Sequence, residues 1–477
     1  MKTIEIYIYT PNQCWVGMLS GRIIAPSLSF QKEYYKKVRI PGTDPPKFKN
    51  QRHEYTACVL KKHTDGFVFP RGLIHRVIDF CDSKGIPYTI HKLADRVNYP
   101  LNSPPNQLID RESQETITLR EDQKQLIQHC VDEQMGIIVS PTGSGKTIMQ
   151  VALMYCAPYR KILLLVHLTS IVTQTIEKLK KYGLGPIQQV GGGDSFNGEF
   201  TANIVVSTIQ SFANIDPDLY YKEFDMVIID EAHHVNSFKG QYAEVLSNIY
   251  SQMKFGFTAT VHSEERDFEK VLARESLMGR IIGTFSLEEA MEKGILAIPK
   301  LKFLRVPTSH RLREIRKYQD VYEAGVVNNH LRNDLIAETI MRDHPDQISL
   351  VFVDRIEHGN NLVEAFQRLG RRVPFIQGSM DTVERDNIKA SMIERRRKTV
   401  IASTAWREGV DIPTLDVLVM AGAAKSEIPV MQTVGRVLRR TEGKEIVMIY
   451  DFLDISHHYL VAHLGERLCI YSDLGWL

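Results

Sequence analysis

Gly136-Ile-Ile-Val-Ser140-Pro-Thr-Gly143-Ser-Gly145-Lys146-Thr147-Ile-Met-Gln150 decides the fold of this chain. A short apolar run too uniform for a surface helix reads as a buried strand, and it ends in a glycine-bearing loop that opens a helix at Thr147–Tyr155. Strand, loop and helix in that order form a phosphate cradle. Gly143 and Gly145 let the backbone of Pro141, Thr142 and Ser144 bend until its N–H groups converge on oxygen atoms, and the helix start adds the positive end of its dipole. Lys146 is then spaced to reach a β- or γ-phosphate, and the Thr147 hydroxyl to ligate Mg²⁺. Ser140 stands where the strict pattern has glycine.

Downstream, Met226-Val-Ile-Ile-Asp230-Glu231-Ala-His233 is a second apolar strand, ending in two adjacent acids. Beside a phosphate loop, Asp230 suits the Mg²⁺ shell, and Glu231 suits orienting and deprotonating an attacking water. His233 and His234 do not make a zinc site, because no cysteine or further histidine lies at ligand spacing around them. His233 reads as a polar link to neighbouring motifs.

The pattern around these two strands repeats. Ile162–Val166, Asn203–Ser207 and Lys254–Phe257 are further buried strands, with helices at Ile171–Lys181 and elsewhere between them. A second array follows Pro299, with strands at Ser349–Val353, Val373–Ile376, Thr399–Ala402, Val417–Met420 and Glu445–Tyr450 and helices at Glu357–Leu369, Val383–Glu394 and Ile428–Leu438. Alternation of this kind predicts an α/β fold of two tandem doubly wound parallel sheets, over 111–297 and 298–477.

Residues 1–110 differ in kind. They carry 16 Lys/Arg against 9 Asp/Glu, while the rest of the chain is net acidic. Ile4–Tyr9 alternates as a strand, Leu73–Ser83 reads as a helix, and the proline-rich stretch Asn98–Pro105 reads as a linker. The prediction is a small basic α+β domain that binds nucleic acid. Lys36, Lys37 and Arg39, interleaved with Tyr34 and Tyr35, suit phosphate neutralisation beside base stacking. By contrast Arg395-Arg396-Arg397-Lys398 falls between a helix and a strand and reads as a solvated loop.

Composition is that of a globular enzyme, 43% hydrophobic and 24% charged, with no apolar run long enough to span a bilayer. Six scattered cysteines without CxxC spacing read as reduced, mostly buried thiols in a cytosolic protein.

Asp230-Glu231-Ala-His233 is a DEAH box, and from about Leu119 to the tail the chain resembles the superfamily 2 helicases. Such helicases carry two RecA-like domains and couple ATP hydrolysis to movement along nucleic acid. Within that resemblance Gln123 of Leu119-Arg-Glu-Asp-Gln123 would read the adenine. Val166–Gln174 and Ser207–Ser211 would touch the strand, through Thr169, Thr208 and Gln210, although His167 and Leu168 replace the family's usual Pro-Thr. Thr258 and Thr260 would couple hydrolysis to movement. Ser403–Pro413 resembles motif V, with Thr404 on the strand and Gly409 and Asp411 near the nucleotide. Gln432-Thr-Val-Gly-Arg436-Val-Leu-Arg439 resembles motif VI, with Gln432 as a coupling residue and Arg436 and Arg439 as fingers for the γ-phosphate. A basic N-terminal domain ahead of a compact motor resembles phage branched-DNA helicases. This implies ATP and Mg²⁺ as cofactors and DNA (single-stranded, forked or junction) as partner. It further implies recombination or replication proteins as further partners, no membrane, and the cytoplasm of a bacterium or phage-infected host. An RNA-directed helicase and a restriction-type motor subunit are the alternatives.

Overall fold

The computed structural model describes residues 3–39, 48–92, 100–158, 160–192, 196–260, 264–403, 412–422, 438, 440 and 444–477. The chain divides into two compact units. One holds 1–139 and 146–284; the other holds 285–477 together with the loop 140–145.

The first unit begins with β1 (Ile4–Thr10), β2 (Gln13–Gly17), β3 (Ser29–Arg39), β4 (Phe48–Cys58), β5 (Lys61–His63), β6 (Gly66–Pro70) and β7 (Tyr88–Lys92). Five of these form one sheet in the order β5-β6-β2-β1-β7, while β3 and β4 pair only with each other, as a long antiparallel hairpin. Alternation in β1 puts Ile4, Ile6 and Ile8 on the inner face, where helix Ile74–Ser83 adds Val77 and Cys81. The expected α+β domain is therefore present, with its basic cluster on the hairpin. A second small hairpin joins β8 (Gln107–Ile109) to β9 (Thr116–Thr118).

Next come β10 (Met135–Val139), β11 (Ile162–Val166), β12 (Ile187–Val190), β13 (Ile204–Thr208), β14 (Met226–Asp230), β15 (Met253–Thr258) and β16 (Ile281–Thr284). They build a parallel sheet in the order β12-β13-β11-β14-β15-β10-β16. Every residue of β11, β13 and β15 is buried, as strands covered by helices on both faces require. The second unit repeats the plan with β17 (Ile298–Arg305), β18 (Ser349–Val353), β19 (Phe375–Ile376), β20 (Thr399–Ser403), β21 (Val417–Met420) and β22 (Ile446–Leu453), in the order β17-β22-β21-β18-β20-β19. Its C-terminal helix, His458–Asp473, is tied down by a buried charge cluster. Arg467 donates to both carboxylate oxygens of Asp451 at 2.8 and 3.1 Å, and Tyr471 donates to the same carboxylate at 2.9 Å.

The central strands fall within a residue or two of their sequence-based bounds, except that β22 runs three residues past Tyr450, to Leu453. Both arrays are RecA-like, as expected. The division between the units falls at Thr284/Phe285, ahead of the 297/298 boundary read from the sequence. The expected helix at Ile428–Leu438 lies outside the described residues apart from Leu438. Arg395, Arg396 and Arg397 are exposed, as the reading of a solvated loop expects; Arg395 takes a left-handed φ of 57° after the helix Thr382–Ile393 and pairs with Asp416 at 3.1 Å. None of the six cysteines is in a disulfide, and Cys14, Cys81, Cys130 and Cys156 are buried.

The N-terminal sheet is not a tethered appendage, since its core is completed by Leu272 of the helix Glu264–Met278, which packs on the motor sheet. Gly72 lies so close to that helix that a Cβ would stand 2.0 Å from the Glu275 carbonyl oxygen. Burial pushes the Glu275 carboxyl up, but hydrogen bonds from His75 (3.2 Å) and Arg76 (2.6 Å) outweigh it and hold the group below its usual range.

On the far side of the seam the Asn12 amide donates to the carbonyls of Ser247 and Ile249 at 2.8 and 3.0 Å, and its Oδ1 accepts from Lys254 Nζ at 2.7 Å. Lys254 sits mid-sheet on β15 and is 1% exposed. Burial first, and then Arg71 nearby, depress its pKa to about 7. A neutral amine has two N–H groups, and both are used, on Asn12 Oδ1 and on the Leu246 carbonyl oxygen. The unfolded chain binds this proton up to its ordinary pKa near 10.5 whereas the folded chain releases it near 7, so folding gains stability as pH rises between the two. We expect the wild type to gain on Lys254→Met across that window, by at most about 1.4 kcal/mol per pH unit in denaturant titrations. Parallel stability curves would show that Lys254 stays charged.

Candidate functional site

At the end of β10 the chain leaves the sheet through 140–145 and re-enters regular structure in the helix Lys146–Tyr155. The loop turns on its glycines: φ is 89° at Gly143 and 97° at Gly145, values that side-chain-bearing residues rarely adopt. Between them Ser144 donates from its backbone N–H (3.2 Å) and its hydroxyl (2.7 Å) to the Pro141 carbonyl oxygen. The Ser144 hydroxyl also meets that of Ser140. Ser140 has no positive φ, so the glycine of the strict motif is not needed there, and its hydroxyl braces the loop instead. Thr142, Lys146 and Thr147 are half-buried.

Asp230 closes β14, and Glu231 follows in a left-handed conformation (φ 51°, ψ 54°), the start of a tight turn Ala232–His234. Burial is the main force raising the Asp230 pKa, with Glu231 adding to it, while Lys146 and Gln150 act against it. Gln150 Nε2 donates to Asp230 Oδ1 at 2.9 Å. Sequence reading passed over Gln150, yet it lies one helical turn after Lys146 and so on the same face, a spacing that could have revealed it. The Asp230 carboxylate, together with a hydroxyl from Thr147 on the helix that also carries Gln150, would make a hard-oxygen donor set. It is too small to enclose a metal alone, and among the described residues no cluster of three His, Cys, Asp or Glu exists. That matches Mg²⁺, which keeps water and phosphate oxygens among its ligands. A cation there reverses the electrostatics that raise Asp230.

The predicted coupling residues meet. His233 Nδ1 lies 3.0 Å from Thr258 Oγ1 and 3.4 Å from Glu231 Oε2. Thr258 donates its hydroxyl hydrogen to the Thr260 carbonyl oxygen at 2.8 Å, so the His233 nitrogen donates to Thr258. Thr260 N returns a bond to Thr258 Oγ1 at 3.2 Å.

Other predicted residues take more local roles. Gln123 is buried, and its Oε1 accepts from Arg120 N at 3.2 Å as half of a capping box on the helix Glu121–Glu133. Thr208 is also buried and caps the short helix after β13, accepting from Ser211 N at 3.1 Å. Thr169, first residue of the helix Thr169–Lys181, and Gln210 are exposed. Lys36, Lys37 and Arg39 lie on β3 opposite Gln51, Asn50 and Phe48. Thr404, Gly409, Asp411, Gln432, Arg436 and Arg439 lie outside the described residues.

Residues 116–263 match the family described as "Type III restriction enzyme, res subunit", and 331–441 match the "Helicase conserved C-terminal domain". The chain is an ATP-dependent helicase of superfamily 2. Among curated proteins it is 24% identical to the ATP-dependent DNA helicase uvsW of Enterobacteria phage T4 over 85% of this chain and 86% of that one. It is 27% identical to the DNA 3'-5' translocase XPB2 of Sulfurisphaera tokodaii over 76% and 87%. The helicase domain of Pyrococcus furiosus Hef shares its fold, with a TM-score of 0.51 at 16% identity over 73% of this chain and 98% of that one.

For this helicase, Gln150→Ala should leave nucleotide binding near wild type and lower kcat about ten- to a hundredfold by freeing Asp230, measured as steady-state ATP turnover across a Mg²⁺ series. An unchanged kcat at low Mg²⁺ would remove Gln150 from the site.

Proposed function

We propose that this helicase hydrolyses ATP with Mg²⁺ to unwind or branch-migrate forked and junction DNA, in recombination, replication or repair. The observation that carries the reading is the docking of a basic, hairpin-bearing N-terminal sheet onto the same unit that holds Lys146, Asp230 and Glu231. A motor that only tracks one strand has no need of a second nucleic-acid grip fixed to its ATPase sheet. The uvsW relative, matched over most of both chains, supports the DNA assignment.

In this reading Lys146 and the backbone of 140–145 hold the terminal phosphates, and Thr147 and Asp230 would hold a Mg²⁺ ion, which would supply charge to stabilise the leaving oxygens. Glu231 orients water and takes its proton. His233 passes the state of that carboxylate to Thr258 and Thr260. Thr169 and Gln210 grip the phosphate backbone of the track, a contact blind to sequence. Lys36, Lys37 and Arg39 hold the duplex arm. Among the described residues no helix is long and apolar enough to cross a membrane, consistent with work on DNA in the cytoplasm.

Lys146→Ala and Glu231→Gln should each lower ATP turnover at least about a thousandfold, with Glu231→Gln still binding ATP. ATPase stimulation and strand displacement compared on forks, four-way junctions, linear duplex and RNA test the substrate. Preference for forks and junctions is expected, and stimulation by RNA alone would overturn the DNA assignment.

A further inference from the structure

The turn that carries Glu231 is braced from both sides, and only one brace belongs to the motifs discussed above. β14 lies between β15 and β11. Toward β15 the brace is the His233–Thr258 hydrogen bond. Toward β11 it is a stack: the rings of His234 and His167 lie 3.6 Å apart at 10° to one another. His234 is held on its other side by His233, at 4.2 Å and 37°. His167 directly follows β11 and stands two residues before Thr169, which opens the strand-facing helix.

The physical character of this contact suits transmission. Burial, reinforced by His233 and His167, takes His234 down to a pKa of about 3, so its ring is neutral and no charge repulsion opposes stacking. His167 Nδ1 is buried without a hydrogen-bond partner in the protein, so no directional bond fixes that ring's position. Stacked rings slide more readily than hydrogen bonds stretch. His167, His234, Gln210 and Tyr242 also line one pocket of about 250 Å³, so the stack borders the exposed Gln210. Burial raises the Tyr242 pKa, and the charges of Asp230 and Glu231 raise it further.

We propose that the His167–His234 stack is a positioning contact through which occupancy of the track at Thr169 and Gln210 sets the turn that aims Glu231. This deepens the function proposed above and rests on it. A strand that draws the start of the helix Thr169–Lys181 toward itself moves His167, and the stacked His234 carries that shift to a turn whose first residue is Glu231. Proline at position 167, the usual residue at that point in the family it resembles, offers no flat ring for such a stack.

The test uses the full chain and a single-stranded DNA oligonucleotide, measuring ATP turnover with and without it, and its affinity by fluorescence anisotropy. His167→Ala should keep the strand-free rate within about twofold and bind the oligonucleotide as the wild type does, while its stimulation falls about five- to a hundredfold. His167→Phe, which keeps a flat ring, should recover most of it. Full stimulation in His167→Ala overturns the proposal. So does a loss of strand-free rate in the same proportion, which marks a role in folding, or a matching loss of affinity, which marks a direct track contact. A wild type indifferent to the oligonucleotide overturns the functional reading, and this inference with it.

Discussion

Parallel register is the constraint on which the rest depends. In the first unit Val139 pairs with Thr258, Asp230 with Phe257, Leu165 with Ile229, and Val166 with Thr208. Five strands therefore end at nearly the same level, and the candidate site is assembled at or just beyond those ends. The glycine loop follows β10, Asp230 closes β14 with Glu231 next, Thr258 closes β15 with Thr260 just beyond, and the helix Thr169–Lys181 follows β11. No side chain reaches far to join its neighbour. His233 crosses one strand spacing to Thr258, and His234 crosses one in the other direction to His167. A slip of one residue in any of these ladders would exchange the two faces of a strand and separate the motifs together.

This also explains what was legible in the sequence. β11, β13, β15, β18 and β20 are buried at every position, and continuous apolar runs bounded by loops announce that directly. The glycine loop and the acidic pair were legible because their chemistry demands particular residues at fixed spacing. The two edge strands of the first unit's parallel sheet were not. β12 reads Ile187-Gln-Gln-Val190 and β16 reads Ile281-Ile-Gly-Thr284, neither of them continuously apolar. Edge strands face solvent along one side, so their burial signal is diluted.

Three features escaped because they depend on tertiary neighbours. Lys254 opens a run that reads as a buried strand, but the run does not reveal what its amine meets, and only the fold brings it to Asn12. Thr208 and Gln123 belong to motifs that suggest ligand contact, yet both are buried and spend oxygen atoms on helix capping. A motif names the residue types at a place and leaves open which of them face the ligand. The stacked histidines are the converse case. His167 looked like a departure from a family pattern, and His234 like a spare neighbour of His233. Only the pairing of β11 with β14 puts their rings together.

The seam between the N-terminal sheet and the motor sheet is built as a structural joint. Asn12 sits in the turn joining β1 and β2, and its amide and carbonyl oxygen engage Ser247, Ile249 and Lys254 at once. Gly72 allows backbone contact with the helix Glu264–Met278, and Leu272 of that helix enters the N-terminal core. These contacts bury a potentially charged lysine and an Arg–His–Glu cluster, groups that cost free energy unless every partner is in place. A joint of that kind is intolerant of partial separation, because opening it strands several polar groups at once. Lys254 lies four residues before Thr258 on the same strand. The joint and the threonine that meets His233 therefore share one strand, β15.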